Sequence, residues 1–302
     1  MTYNLLMIRP ARFAYNAETA VNNSFQVAAP ETAAIQAKAL SEFDGFVEKL
    51  IANGIDVTIV QDTPEPHTPD SIFPNNWVSF HSDGTVFLYP MFAKNRRPER
   101  KQHVLDAIQQ KFIIKYTTDL SVYEQNELFL EGTGSMVLDR ENKMAYACLS
   151  PRTSKVVLKD FCRAMNYTPI TFTADDEAGN AIYHTNVMMC VADKYAVICL
   201  SSVRADFERA YLKKALESSG KEIIDISFSQ MNHFASNMLQ VQNKEGNPFL
   251  VMSTQAFESL NTAQITTIEK YNPIIHSDIA TIEANGGGSA RCMMAEIYLP
   301  VK

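Results

Sequence analysis

Cys292 closes the run Gly286-Gly-Gly-Ser289-Ala-Arg-Cys292 close to the C-terminus. Three successive glycines leave backbone N–H groups uncovered and permit turns closed to other residues. A thiol seated after such a turn could attack a carbonyl-like carbon while main-chain donors meet the developing negative charge. Gly287 and Ser289 would then border the substrate. The plainer alternative is a turn leading into a strand with an inert buried cysteine. What separates the two is whether a proton carrier and an orienting acid stand at matching places elsewhere in the chain.

The elements that would carry such partners recur along the sequence. Ile35, Leu40, Phe43, Phe46, Val47, Leu50 and Ile51 follow helical spacing over residues 31–53, which Gly54 stops, and strands are expected at 2–8 and 55–60. Two alternating runs over residues 77–89 flank Ser82-Asp83-Gly84, a hairpin signal. The order of helix, strand, loop and hairpin then returns, with helices expected at 99–112, 153–166, 203–219 and 255–271. Further hairpins are expected at 135–149, 186–200 and 237–252, with a hairpin-like segment at 289–299. The hairpins begin near 77, 136, 187, 237 and 290, about fifty to sixty residues apart, the period of an array of five units. The fifth unit is split between the chain ends, and residues 31–53 supply its helix. Joining the last unit to the N-terminal strand removes exposed sheet edges. The expected fold is therefore α/β, a five-bladed, pseudo-fivefold α/β propeller forming one domain over residues 1–302. An open parallel sheet is the competing architecture, and β-hairpins recurring between helices argue against it.

In a closed ring the residues that begin the hairpins meet near the axis. They are Asn76, Glu131, His184, the segment 232–237 and Cys292. A thiol, an imidazole and a carboxylate from three units are what attack on a carbonyl-like carbon requires: Cys292 attacks, His184 moves protons, and Glu131 holds substrate N–H groups. Singly, Glu131 reads as a strand-end surface group and His184 as a structural histidine. Their joint occurrence at equivalent places favours chemistry. His67, His81, His103, His233 and His276 show no metal-ligand spacing and read as structural or exposed, His233 least firmly. Gly286 to Ser289 lacks the lysine of a phosphate loop.

Composition narrows the partners. The chain is 46% hydrophobic and 20% charged with a formal charge of −7, which disfavours a phosphate backbone and so nucleic acid. Arg96, Arg97, Arg100 and Lys101 read as a solvated loop and helix start. The N-terminal residues are too short an apolar run for an export signal or membrane span, and the five cysteines, at 148, 162, 190, 199 and 292, show no CxxC pairing. A cytoplasmic protein with reduced thiols is expected, acting on a small molecule; a homodimer is allowed but not required. Residues 9–25 are equally compatible with a substrate lid and a long loop.

On these residues the chain resembles the guanidine-modifying enzymes of the pentein superfamily: arginine deiminases, dimethylarginine hydrolases and amidinotransferases. Glu131-Gly132 stands where a Glu-Gly-Gly motif gives a substrate-gripping glutamate, and His184-Thr-Asn186 where a His-x-Asp motif gives the acid/base histidine. Phe73-Pro-Asn-Asn76 stands where a Phe-x-x-Asp motif gives a substrate-gripping aspartate. Ser150-Pro-Arg152-Thr153 is similar to a segment whose arginine can hold a substrate carboxylate. The resemblance covers the chain and implies the five-bladed fold, with Cys292 as nucleophile and no metal or organic cofactor.

Asn76 and Asn186 depart from the aspartates of the arginine-using members. A buried guanidinium deprived of a carboxylate typically costs ~3–5 kcal/mol, roughly two to three orders of magnitude in binding. These losses argue against arginine unless Asp70 compensates. An Asn amide suits a neutral ureido group, whose C=O and NH2 need a donor and acceptors. The expected substrate is accordingly citrulline, hydrolysed to ornithine, ammonia and carbon dioxide through a covalent Cys292 intermediate, and the pattern resembles the citrulline-utilization hydrolase branch. The alternatives are a deiminase or hydrolase of arginine, agmatine or methylarginine, an amidinotransferase, and a non-catalytic five-bladed assembly factor.

Overall fold

The computed structural model describes residues 1–28 and 32–302. Its strands form five three-stranded sheets, and four of them share one plan. Val78–Phe80 pairs antiparallel with Thr85–Leu88, which pairs parallel with Tyr116–Asp119. The same plan joins Val137–Asp139, Met144–Cys148 and Thr168–Phe172, then Met189–Val191, Tyr195–Ile198 and Glu222–Asp225. It joins Leu239–Gln242, Pro248–Ser253 and Ile274–Ser277 as well. In the fifth sheet Ala295–Glu296 pairs antiparallel with Asn4–Arg9, itself parallel to Asp56–Gln61. The two ends of the chain thus share one blade, and the fold is the five-bladed α/β propeller.

A parallel step from the second to the third strand needs a crossover, and helices supply it. Ala33–Ala52 buries Phe43, Phe46, Val47 and Leu50 on one face and is capped by the Thr32 hydroxyl. Lys155–Met165 buries Val157, Leu158 and Phe161 and is capped by Ser154. Each such fully buried apolar side chain contributes roughly 1.5–3 kcal/mol. Among the described residues no helix is long and apolar enough to cross a membrane.

Several elements differ from expectation. The helix expected from residue 31 starts at Ala33, and Glu31 lies outside the described residues. The helix expected over 255–271 is two, Thr254–Ser259 and Thr262–Glu269, because Leu260 is extended and Asn261 with Gln264 forms a new capping box. The helix expected over 99–112 is a 3-10 segment, Lys94–Glu99, followed by Gln102–Lys111. The helix Lys155–Met165 is followed by an edge strand, Thr168–Phe172, that carries Pro169 where a loop was expected. The fifth hairpin contracts to Ala295–Glu296, since the residues before it are spent on the turn that seats Cys292.

Candidate active site

Short helices stand before three hairpins and deliver side chains inward. Pro74–Asn76 and Thr185–Val187 are 3-10 turns, and Gly132–Ser135 is a four-residue helix. They are tied together by hydrogen bonds: the Thr185 hydroxyl donates to Ser135 O and accepts from Cys148 N–H. Ser135 Oγ accepts from Glu131 N–H and donates to Arg152 O. At Gly134 a Cβ would fall 2.6 Å from Asn76 Nδ2 and 2.8 Å from His184 Nδ1. Glycine there lets three blades approach closely.

Glu131, fully buried, lies 2.7 Å through Oε2 from His184 Nε2, and its Oε1 accepts the Phe92 N–H. Burial pushes the Glu131 carboxyl up, but Arg152, the His184 hydrogen bond and Arg96 outweigh it and hold it well below its usual range. Burial lowers His184 to about 4 although Glu131 opposes the shift. The pair is thus a carboxylate beside a neutral imidazole. An ionised carboxylate only accepts, so Nε2 carries the proton and Nδ1 is the ring nitrogen able to take another.

Cys292 is 4% exposed. Asn186 Nδ2 and Asn237 Nδ2 each lie 3.4 Å from its Sγ, so two amide donors converge on the sulfur. Asn237 Oδ1 also accepts the Arg291 N–H. The glycine run behaves differently from expectation. Two loop amides are spent internally, Gly287 N–H on Glu283 O and Cys292 N–H on Ser289 O. Gly287 takes φ 64°, a conformation suited to glycine, and its carbonyl accepts from Tyr183 OH and Asn23 Nδ2. Ser289 turns away and donates to Glu283 Oε1 at 2.5 Å.

Cys292, His184, Asn76, Asp70, Phe73, Arg152 and Gly287 all border one cavity, with Thr19, Asn23, Arg96 and Tyr183. It leaves about 10 Å³ for the centre of a water-sized sphere, roughly one water. Glu131 and Asn186 stand immediately behind this lining, through His184 and Cys292. Ser289 is not part of it. Arg152, 1% exposed, donates through Nε to Asn22 Oδ1 at 2.9 Å and through Nη2 to Thr19 O at 2.7 Å. Its Nη1 lies 3.5 Å from Glu131 Oε2, and its guanidinium sits 4.8 Å from the Tyr183 ring centroid. Asp70 Oδ2 accepts from Asn16 Nδ2 and the Thr19 hydroxyl, while Oδ1 is buried without a partner.

Arg96 corrects the expectation of a solvated basic loop. It is 2% exposed, forks onto Glu99 at 2.8 and 3.0 Å, and donates to Asn76 Oδ1 at 2.9 Å. Burial pushes Glu99 up to about 7 even though Arg96 pulls it down. The spacing of Arg96 and Glu99 was the available signal. Asn237 and Tyr183 also belong to the site. Within residues 9–25, the segment compatible with a lid, Thr19 and Asn23 border the cavity and Asn22 reaches it through Arg152, although no local pattern singles out these three residues. His233 is exposed, bonded to Ser229 O, and apart from the site.

The fold is shared with ArgZ, described as an arginine dihydrolase from the ornithine-ammonia cycle in cyanobacteria. The TM-score is 0.77 at 16% identity, over 99% of this chain and 41% of that one. With the N-terminal domain of ArgZ, a cysteine-to-serine variant bound to substrate, it is 0.76 at 16% identity over 98% of both chains. A dimethylarginine dimethylaminohydrolase variant carrying an S-methyl-L-thiocitrulline adduct aligns at TM-score 0.68 and 14% identity, over 98% of this chain and 99% of that one. The chain thus spans about two fifths of full-length ArgZ and nearly all of its N-terminal domain. No curated protein sequence matches it. The profile of the eukaryotic N,N dimethylarginine dimethylhydrolase family matches residues 9–299, and the chain belongs to that family, within the pentein superfamily.

Proposed function

We propose that the protein is a cysteine hydrolase of a free guanidino amino acid, arginine foremost. The observation that carries this is Asp70: 2% exposed, bordering the cavity, with one carboxylate oxygen lacking any partner. Burial raises its pKa although Arg96, Asn16, Arg152 and Thr19 oppose the shift. An underpartnered buried carboxylate gains most from a cationic N–H donor. Among the described residues Asp70 and Glu131 lie against Arg96 and Arg152 beside a neutral His184, and Arg96 is already forked onto Glu99.

Citrulline, the substrate expected from Asn76 and Asn186, gives way to the guanidino alternative. Asn76 is already spent, its Oδ1 on Arg96 and its Nδ2 on Asn75 Oδ1. Asn186 directs Nδ2 to the thiol. Neither amide has both ends free for a ureido group, and Asp70 supplies the compensating carboxylate. The family description favours methylated arginine as a second reading.

In the proposed reaction the Cys292 thiolate adds to the guanidino carbon, and the Asn186 and Asn237 amides border the reacting sulfur. Asp70 accepts guanidinium N–H groups, and Glu131, behind the lining with its oxygens on His184 and Phe92 N–H, orients the imidazole rather than touching substrate as the sequence suggested. His184 takes up a proton and delivers it to the departing nitrogen, releasing ammonia, or methylamine from a methylated substrate, and leaving an amidino thioether. Water, deprotonated by His184, adds to that carbon, and collapse returns the thiolate and citrulline. A second cleavage of the same kind would yield ornithine, ammonia and carbon dioxide. Arg152 exchanges Asn22 for the substrate carboxylate, a task that suits its planar fork.

The test is a product assay with purified protein on arginine, Nω-methylarginine and citrulline in parallel, following ammonia, methylamine, citrulline and ornithine. Turnover of arginine or methylarginine exceeding that of citrulline at least tenfold in kcat/KM is expected. Efficient citrulline hydrolysis with neither guanidino compound consumed would overturn the proposal.

A further inference from the structure

Glu283 lies outside the catalytic cavity yet is bound to the loop that seats the thiol. It is 2% exposed, on the helix Ala280–Gly286 that runs into Gly287. Its Oε1 accepts the Ser289 hydroxyl at 2.5 Å and its Oε2 accepts Gln255 Nε2 at 3.1 Å. Its backbone carbonyl takes the Gly287 N–H, and Ser289 O takes the Cys292 N–H at 2.9 Å. One residue therefore holds the loop at two points, and the bond to Ser289 leads directly to the nucleophile's own amide. The helix is itself anchored, since the Glu42 carboxylate accepts the Thr281 and Ile282 N–H groups.

We propose that Glu283 is a positioning residue for Cys292, acting through Ser289 to fix residues 287–292 in the geometry that aims the thiol. This rests on Cys292 being the nucleophile. As a carboxylate, Glu283 accepts from Ser289 and Gln255 together; as a carboxylic acid, one oxygen turns donor and the grip weakens. The groups around it favour that change. Ser253 and Ser289 hydroxyls and the Gln255 amide are its neutral partners, Glu42 and Asp278 are like charges nearby, and Asp176 and Glu177 share the adjoining cleft. None is a cation. Burial, with Glu42 and Asp278, outweighs the serine bonds and puts its carboxyl at about 7. The cleft of about 490 Å³ that Glu283 borders gives protons access from outside the catalytic cavity.

The experiment compares Glu283→Ala, Glu283→Gln and Ser289→Ala with wild type. It measures iodoacetamide alkylation of Cys292 by peptide mass spectrometry, and kcat and KM on arginine from pH 6 to 8. Misaiming a nucleophile costs roughly 10- to 100-fold. Glu283→Ala and Ser289→Ala should lose that much in kcat and in alkylation rate, with KM changed less than about twofold. Glu283→Gln keeps an acceptor for Ser289 but cannot titrate. Like the protonated carboxyl it offers one acceptor and one donor, so it should hold kcat across pH 6 to 8 near the level wild type reaches at pH 6, without the wild-type decline below about pH 7. Folded alanine variants with wild-type alkylation and kcat, or a Glu283→Gln that keeps the decline, would overturn the proposal. If Glu283→Ala fails to fold, Ser289→Ala, which removes one hydroxyl, decides. Alkylation that depends on Glu283 in a protein inactive on guanidino compounds would sustain this inference while refuting the substrate.

Discussion

Replacing Asp70 by Asn probes the substrate's charge with almost no change in shape. The partners of Asp70 Oδ2, Asn16 Nδ2 at 2.7 Å and the Thr19 hydroxyl at 3.3 Å, can be kept by the Asn carbonyl. The change falls on Oδ1, the oxygen without a partner, and on the longer ion pair from Oδ2 to Arg96 at 3.6 Å. Burial already disfavours the Asp70 charge, and Arg96 keeps its fork on Glu99, so the variant should fold with a Tm close to wild type. A hydrogen bond between charged groups contributes about 1.5–3 kcal/mol, so kcat/KM for arginine should fall about 10- to 150-fold. The assay is steady-state ammonia release from arginine, with citrulline as comparison. A loss confined to arginine places the guanidinium on Asp70; an equal loss on both places the α-ammonium there. Undiminished kcat/KM on arginine refutes the reasoning, because the carboxylate oxygen without a partner would then have no role in binding.

Cys292→Ala and His184→Ala should each abolish turnover while circular dichroism stays native, and residual activity in purified Cys292→Ala would remove the nucleophile from the mechanism. Gly134→Ala places a Cβ within 3 Å of Asn76 and His184 and should lower Tm by an overpacking cost of about 1–3 kcal/mol, with kcat falling more than KM changes. Arg152→Lys loses the planar fork and should raise KM for arginine by roughly tenfold, read in the same assay. Stability should carry the mark of Glu99, whose carboxyl rises from 4.5 to about 7. Between those values the folded state holds a proton that the unfolded chain has lost, so this group's contribution declines as pH rises, by about 3 kcal/mol in all. His184, lowered from 6.5 to about 4, acts in the opposite sense, its contribution lost as pH falls below 6.5. Denaturant midpoints of Glu99→Gln against wild type across pH 4.5–7 isolate the first slope, and equal slopes would contradict it.

The ring was legible because its hairpins carry local signals. Ser82-Asp83-Gly84 turns between alternating strands, and the period that spaces the hairpins also predicts that the chain ends share a sheet. Thr168–Phe172 escaped because five residues containing Pro169 look unlike a strand; Pro169 is tolerated at the edge of a sheet, where one side of the backbone is unpaired. The break at Asn261 was written in its spacing to Gln264 but lay inside a run of helical pattern. In the site, the hairpin-start residues were readable because repetition marks equivalent places. Arg96 was misread since four basic residues in six usually face water, whereas Glu99 three positions on gives its guanidinium a buried partner. Asn22 and Thr19 reach Arg152 across more than a hundred residues of chain, and Asn237 meets Cys292 across 55. Contacts of that range arise from ring closure and leave no trace in local spacing.

The central claim is that Cys292 forms a covalent bond to a guanidino carbon, and its most direct test is the mass of the enzyme during turnover. Protein mixed with arginine and quenched in acid within the first turnovers should carry an adduct equal to arginine less ammonia. Peptide mapping should place it on Cys292, and Cys292→Ala should lack it. Arginine consumption with no adduct on quenched wild type, or with the adduct on another residue, would contradict the account.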